Sequence, residues 1–133
     1  MIAIVDYDAG NIRSVCNALE RLGAEYILSS DPKVIQSADK VILPGVGNAA
    51  EAMASLRSKG LCEIIKGLRK PVLGICVGMQ IMCRDSEEGD AKCLGIFDSH
   101  VKLFKPSENA KVPHMGWNCI GNLDSKLLKD LKG

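Results

Sequence analysis

Short apolar runs alternate with stretches of helical periodicity along residues 1–83, and this alternation restricts the possible folds more than any other feature. Residues 2–5, 26–28, 41–43 and 72–75 are largely apolar runs bounded by turn residues, as is typical of strands that are covered on both faces. Between these runs, apolar residues recur three and four positions apart, as in helices that pack on a sheet. The pattern therefore predicts an α/β fold, in which a mostly parallel sheet has helices on both faces.

Local signals give bounds for the individual elements. Apolar periodicity predicts helices over residues 12–22, 49–60, 61–68 and 77–83. Asp31 and Pro32 predict the N-cap and the first residue of a further short helix.

The sequence changes in character after residue 83. The polar segment 84–92 predicts a solvated loop. Apolar runs at residues 94–97, 100–104 and 117–120 predict short strands that give the sheet a mixed edge, and Asp124 predicts the cap of a last helix. The chain has 133 residues, within the usual range of about 100–200 residues for one domain, so a single domain over 1–133 is expected.

Composition excludes several classes of function. The 17 basic and 16 acidic residues give a net charge of +1, which provides no electrostatic basis for binding nucleic acid or a membrane surface. Asp6 ends the first apolar run too early for a signal peptide, and no run approaches the ~18 apolar residues of a membrane span. We therefore expect a cytoplasmic protein.

The six cysteines and two histidines include no C-x-x-C pair. Neither a zinc site nor a disulfide framework is predicted from this spacing. Most of the cysteines lie in apolar patterns and are expected to be small buried side chains, with Cys76 as the exception.

Cys76 is the centre of Gly74-Ile75-Cys76-Val77-Gly78, which lies between a predicted strand and a predicted helix. This is the pattern of a nucleophile elbow with cysteine in place of serine. The glycines are needed because side chains two positions to either side would collide with neighbouring backbone. The turn exposes the sulfur at a helix N-terminus, whose dipole favours a thiolate, and it places the Val77 N–H to donate to an oxyanion. The alternative is a buried core cysteine between two incidental glycines.

Two further motifs accompany the elbow. Residues 44–47, Pro-Gly-Val-Gly, also follow a strand, so they predict either a simple strand-to-helix turn or the second half of an oxyanion hole. Residues 111–118 contain the single tryptophan, Trp117. This second run predicts either a partner interface or a strand start with Trp117 in the core.

Together with Asp6-Tyr7-Asp8-Ala9-Gly10-Asn11, these motifs resemble the glutaminase subunits of imidazole glycerol phosphate synthase, within the class I (triad-type) glutamine amidotransferases. The resemblance runs along the whole chain and implies the flavodoxin-like fold of that class.

The same resemblance implies roles for individual residues. Cys76 attacks the side-chain amide of glutamine, and the N–H groups of Val77 and of Val46, the latter after a peptide rearrangement at Gly45–Val46, stabilise the oxyanion. Gly47 and Gln80 hold the glutamine. No metal or organic cofactor is implied.

The implied partner is the (β/α)₈-barrel cyclase subunit (HisF), which forms a heterodimer with the glutaminase and receives its ammonia for histidine biosynthesis. The residues implied at that interface are Gly10, Asn11, Pro113, His114, Met115, Gly116, Trp117 and Asn118.

One departure from the family pattern concerns the catalytic base. Family members continue to a C-terminal His-x-Glu pair, whereas His100 is followed two residues later by Lys102 and His114 by Gly116. We therefore expect this chain to be the N-terminal part of a longer domain, with the C-terminal part missing, and not to turn over glutamine. Two alternatives stay open: a non-catalytic module that docks to the cyclase, and another cysteine-elbow hydrolase of the DJ-1-like type.

Overall fold

The computed structural model describes residues 1–8, 11–108, 111–121 and 124–128, and its main sheet is four-stranded and parallel throughout. The strands are β1 (Ile2–Val5), β2 (Tyr26–Ser29), β3 (Lys40–Leu43) and β4 (Val72–Gly74), in the order β2-β1-β3-β4. The parallel sheet predicted from the apolar runs is confirmed.

The strand order places three loops at one edge of the sheet. The chain leaves β1 toward β2 on one side and then crosses to β3 on the other, so the order reverses beside β1. Ligands of open α/β sheets bind outside the carboxyl ends of the strands at such a point. Because the strands are parallel, the loops that follow β1, β3 and β4 all lie at this edge.

Five helices flank the sheet within the described residues: α1 (Ile12–Arg21), α2 (Pro32–Ser37), α3 (Ala49–Ser58), α4 (Cys62–Gly67) and α5 (Val77–Gln80). The predicted cap of α2 is confirmed, since the Asp31 carboxylate accepts from the Lys33 N–H at 2.8 Å. Asn48 caps α3 in the same way, accepting from the Ala50 N–H at 2.7 Å. Among the described residues, no helix is long and apolar enough to cross a membrane.

The two faces of the sheet bury alternate strand residues. Val5, Val41 and Leu43 lie in a large core cluster with residues of α2 to α5, such as Met53 and Ile65. Ile4 and Ile42 are adjacent to these residues along the strands and point to the other face. There they join Leu19 of α1 in a small cluster. This alternation confirms the expected helices on both faces, and it leaves the α1 face with less cover.

The prediction for residues 84–92 is wrong. This segment forms a hairpin, β5 (Asp85–Ser86) and β6 (Ala91–Lys92), in which Gly89 and Asp90 have φ values of +75° and +47°. The polar residues lie in and around the turn of the hairpin. The strands were missed because two residues are too few to show periodicity.

Of the short strands expected at the edge of the main sheet, only the one predicted over 100–104 is present in part, and it joins the hairpin in a separate sheet. The order is β6-β5-β7, where β7 is His100–Val101, with one antiparallel and one parallel pair. Residues 94–97 form no strand, because their N–H groups bond to the carbonyls that follow α5, as Leu94 does to Ile81 at 2.9 Å.

Residues 104–133 form a second compact unit, and 1–103 the first. The strand predicted over 117–120 is wrong, since these residues are irregular and exposed. The last predicted helix is a 3₁₀ turn, Lys126–Leu128, and its continuation lies outside the described residues. The single domain over 1–133 stays a prediction.

Candidate active site

Cys76 lies at a strained turn between β4 and α5. Its φ of +53° and ψ of −117° are rare for any residue other than glycine, and such backbone strain is concentrated at functional sites. The Cys76 side chain is exposed. The geometry confirms the tight turn predicted from the sequence, and it argues against a buried core cysteine.

The two motif glycines are required by close backbone contacts. A Cβ atom built on Gly74 would lie 2.6 Å from the Cα atom of Met79, and one on Gly78 would lie 1.9 Å from the carbonyl oxygen of Leu43. Neither position has room for a side chain without a backbone shift. The steric reason given for the G-x-C-x-G pattern is therefore confirmed.

Hydrogen bonds fix the elbow to β3 and to its own helix. The Ile75 N–H donates to the Leu43 carbonyl at 3.0 Å, and the Cys76 carbonyl accepts from Met79 and Gln80 at 3.0 and 3.1 Å. Val77, the first residue of α5, makes no hydrogen bond through its N–H within the described residues. Because α5 has four residues and is shorter than the predicted helix over 77–83, its dipole is smaller than expected. Stabilisation of a Cys76 thiolate therefore depends more on individual N–H groups close to the sulfur.

The Pro-Gly-Val-Gly loop packs directly on the elbow. A Cβ atom on Gly45 would lie 2.7 Å from the Gly78 nitrogen and 3.1 Å from the Val77 Cβ. Gly45 is buried, whereas Val46 is 48% exposed and Gly47, with φ of +88°, is also exposed. The structure thus brings both halves of the predicted oxyanion hole into contact.

Tyr7 is a residue of this site that the sequence reasoning missed. It is fully buried, and its hydroxyl donates to the carbonyl oxygen of Pro44. Burial raises the pKa of Tyr7 to about 12. A tyrosine two residues after a buried strand was the available signal, but its partner is 37 residues away in the chain.

Gln80 carries a buried acceptor beside the elbow. Its Oε1 atom is buried and accepts no hydrogen bond from the described residues. A buried polar atom left in this way costs about 1–3 kcal/mol. A polar ligand that donates to Oε1 would remove this cost.

His100 does not pair with Cys76 among the described residues of the first unit. The His100 Nδ1 atom lies 2.8 and 2.9 Å from the two carboxylate oxygens of Asp85, in the small sheet. In the second unit, the His114 Nε2 atom lies 2.7 Å from the Asn118 Nδ2 atom.

The residues predicted at the partner interface are exposed wherever they are described. Asn11 is exposed at the N-cap of α1, and Gly10 lies outside the described residues. Residues 113–118 are exposed, and Trp117 is fully so at 103%. The alternative of Trp117 in the core is therefore wrong.

Four of the other five cysteines are half-buried, whereas Cys76 is exposed. Burial raises the pKa of the Cys62 and Cys93 thiols, and Cys16 and Cys83 are half-buried rather than buried. Cys119 is exposed like Cys76. Within the described ranges, no group of three or more His, Cys, Asp or Glu side chains could hold a metal ion.

Comparisons with known proteins point to one family. The family model described as Glutamine amidotransferase class-I matches residues 3–132. Among solved structures, one described as the crystal structure of glutamine amidotransferase has a TM-score of 0.65 at 20% identity, covering 77% of this chain and 56% of that one. At this identity the likeness shows the fold alone.

Curated relatives are more similar in sequence. Proteins named imidazole glycerol phosphate synthase subunit HisH are 58% identical over 129 residues in Bacteroides thetaiotaomicron and 47% identical over 131 residues in Xanthomonas campestris. These matches cover 96% and 98% of this chain and 66% of each relative. A relative of the same name in Dehalococcoides mccartyi is 55% identical over 89% of this chain and 58% of its own length. The chain thus spans just under two thirds of the first of these relatives.

Proposed function

The chain belongs to the class I glutamine amidotransferase family, and from this premise we propose that it is the glutaminase part of an imidazole glycerol phosphate synthase. The reaction is hydrolysis of glutamine to glutamate and ammonia, and the ammonia is passed to a cyclase subunit. The observation that carries the proposal is the strained, exposed Cys76 with the Pro-Gly-Val-Gly loop packed against its elbow.

Cys76 is the proposed nucleophile. Its thiolate sulfur attacks the carbonyl carbon of the glutamine side chain, and the carbonyl oxygen takes up the negative charge of the tetrahedral intermediate. Collapse of the intermediate breaks the C–N bond, releases ammonia and leaves a glutamyl thioester, which water then hydrolyses. A general base must take the thiol proton and return one to the leaving nitrogen.

Backbone N–H groups of Val77 and Val46 are the proposed oxyanion donors. Val77 lies directly after the nucleophile, where its N–H has no intrahelical acceptor. Val46 is proposed to present its N–H after the Gly45–Val46 peptide rotates, and the positive φ of Gly47 supports a loop that can accommodate the rotation. Removal of one such donor typically lowers kcat by about 10²–10³-fold.

Gly47 and Gln80 are the proposed contacts to the substrate. Gly47 is exposed beside the nucleophile loop, so its backbone can approach a ligand closely. The buried Oε1 of Gln80 supports a donor from the substrate at that position.

A cyclase subunit with a (β/α)₈-barrel fold is the proposed partner. Gly10, Asn11 and residues 113–118 are the proposed contacts, and the full exposure of Trp117 supports this. Exposed aromatic side chains are enriched at protein interfaces. The cytoplasmic location expected from the sequence stays part of this proposal.

Labelling of Cys76 with a glutamine analogue tests the proposal. A diazoketone analogue of glutamine should alkylate Cys76, as located by peptide mass spectrometry, and free glutamine should protect it. Cys76→Ser should abolish the modification, whereas Cys119→Ser, which removes the other exposed thiol, should leave it unchanged. Equal labelling with and without glutamine would contradict a glutamine site.

A docking module without glutaminase chemistry was the other alternative, and it receives no support from the family match or the named relatives. It predicts binding to the cyclase together with no glutamine-protected labelling of Cys76. The DJ-1-like alternative receives no support from the family match.

A further inference from the structure

Tyr7 has no role in the proposed chemistry, yet it joins the loop after β1 to the loop after β3. We propose that Tyr7 is a positioning residue whose hydroxyl holds the Pro44 carbonyl, so that rotation in the oxyanion loop is confined to the next peptide, Gly45–Val46. This inference rests on the proposed function, because the rotation matters for catalysis only if Cys76 attacks an amide.

The contacts of Tyr7 hold its side chain in one position against the oxyanion loop. The side chain is fully buried, and its hydroxyl donates to the buried Pro44 carbonyl. The hydroxyl oxygen would also lie 2.8 Å from a Cβ atom on Gly45. Tyr7 therefore fills the space on one side of the loop that carries Val46.

Lys59 contacts the residues on both sides of Tyr7, Asp6 through its backbone carbonyl and Asp8 through its side chain. Its Nζ atom lies 3.4 Å from the Asp6 carbonyl oxygen and 3.0 Å from a carboxylate oxygen of Asp8. Asp6 is also tied to β2, because its N–H donates to the Ser29 carbonyl at 3.0 Å. Because Lys59 lies at the C-terminal end of α3, whose N-cap follows the oxyanion loop, this helix connects the two loops.

The surroundings leave one peptide free to rotate. A Cβ atom on Gly45 would meet both the Gly78 nitrogen of the elbow and the Tyr7 hydroxyl of the other loop. The hydrogen bond from Tyr7 to the Pro44 carbonyl holds the Pro44–Gly45 peptide. Val46 and Gly47 are exposed. A rotation of the Gly45–Val46 peptide that brings the Val46 N–H toward the nucleophile swings the Gly45 carbonyl oxygen and leaves the N–H and Cα atoms of Gly45 in place.

The Tyr7 hydroxyl stays protonated, as a permanent hydrogen-bond donor to the Pro44 carbonyl must. Burial raises its pKa to about 12, so the hydroxyl keeps its proton across the pH range of an ordinary enzyme assay. Phenylalanine would keep the ring and leave the Pro44 carbonyl without its donor.

Tyr7→Phe tests the proposal. Tyr26→Phe is the matched control, because the Tyr26 hydroxyl donates to an exposed carboxylate, that of Glu20, at 2.7 Å, and not to the oxyanion loop. The maximal rate of Cys76 labelling by the diazoketone should fall about tenfold in Tyr7→Phe, with half-saturation little changed. Labelling by iodoacetamide, which needs no oxyanion donor, should stay within about twofold. Equal maximal rates in Tyr7→Phe and wild type would overturn the proposal.

A second measurement is independent of the chemistry. The ¹⁵N order parameter of the Gly45 amide should be near 0.85 in wild type and in Tyr26→Phe, and should fall below about 0.6 in Tyr7→Phe. The Ile42 amide in β3 should be unchanged in all three proteins. If wild type shows no glutamine-protected labelling, the proposed function fails, and a rigid Gly45 amide in Tyr7→Phe would still overturn the role of Tyr7.

Discussion

A Cβ atom built on Gly78 would lie 1.9 Å from the carbonyl oxygen of Leu43. This contact joins the turn after Cys76 to the end of β3, and it explains why the motif requires glycine. We predict that Gly78→Ala is destabilised by at least about 3 kcal/mol, the upper part of the range for overpacked sites, because all the atoms that the new Cβ would meet are backbone atoms of Leu43 and Pro44. Urea unfolding followed by circular dichroism measures this difference.

Gly67→Ala is the control for this substitution. Gly67 is the last residue of α4, and a Cβ atom there would meet nothing within 4 Å. Alanine should be neutral or stabilising by up to about 1 kcal/mol. Equal stability of the Gly67 and Gly78 variants would show that the elbow tolerates a side chain.

The buried Tyr7 hydroxyl predicts an alkaline transition. Its folded-state pKa is raised to about 12, whereas an unfolded tyrosine titrates near pH 10. Because the folded state holds the proton up to a higher pH, this proton linkage contributes to the free energy of unfolding. The contribution is fully present below about pH 10 and is lost as the pH rises through about 12. In Tyr26→Phe, absorbance of the remaining phenolate at 295 nm should have its midpoint near pH 12, and near pH 10 in denaturant. A midpoint near pH 10 without denaturant would contradict the buried hydrogen bond.

Local signals were sufficient for the elements that position the nucleophile. The apolar residues 2–5, 41–43 and 72–75 each predicted a strand because both sheet faces are covered, and Asp31 predicted its cap because the bond spans two residues. The glycines around Cys76 were informative because they form a recognisable local pattern with the nucleophile, although the contact that crowds Gly78 comes from Leu43 on another strand.

Long-range contacts were beyond the reach of the same signals. Nothing in the neighbourhood of Tyr7 indicates that its hydroxyl reaches Pro44, since that pairing depends on the strand order. The β5–β6 hairpin was missed because two-residue strands carry no periodicity. Trp117 was ambiguous because composition does not tell a buried tryptophan from an exposed one.

The histidines of this chain are predicted not to serve Cys76. His100 is paired with Asp85 in the small sheet, and neither it nor His114 is followed by the carboxylate of a His-x-Glu pair. With the cyclase present, the 133-residue chain should release no ammonia from glutamine above a Cys76→Ala control. His100→Ala and His114→Ala should each leave the iodoacetamide rate of Cys76 within about twofold. Steady ammonia release that depends on either histidine would refute this prediction.

The α1 face of the sheet is predicted to promote self-association of the chain. A groove of about 340 Å³ lies there between α1 and the strands, lined by Val15, Leu19, Ile42, Leu73 and Ile75 among others. Leu73 and Ile75 are 38% and 37% exposed. Exposed apolar patches favour self-association, so Leu73→Thr should lower both the sedimentation-detected oligomer fraction and the fluorescence of a bound apolar dye, by about twofold.

Leu22→Thr is the control for the groove. Leu22 is 78% exposed but does not line the groove, so its replacement should change neither measurement. If the wild-type chain is a monodisperse monomer and binds no dye, the α1 face does not promote self-association and the prediction is wrong.

Trp117 is predicted to be an anchor for the cyclase partner. It is fully exposed, and tryptophan is enriched among interface residues whose truncation costs 2 kcal/mol or more. Trp117→Ala should therefore raise the Kd for the purified cyclase by at least about 30-fold, measured by calorimetry. Phe104, which is 80% exposed in the same unit and lies outside the interface run, provides the comparison, and Phe104→Ala should change the Kd by less than about threefold. Similar losses in both variants would point to general apolar adhesion, and an unchanged Kd in Trp117→Ala would remove this residue from the interface.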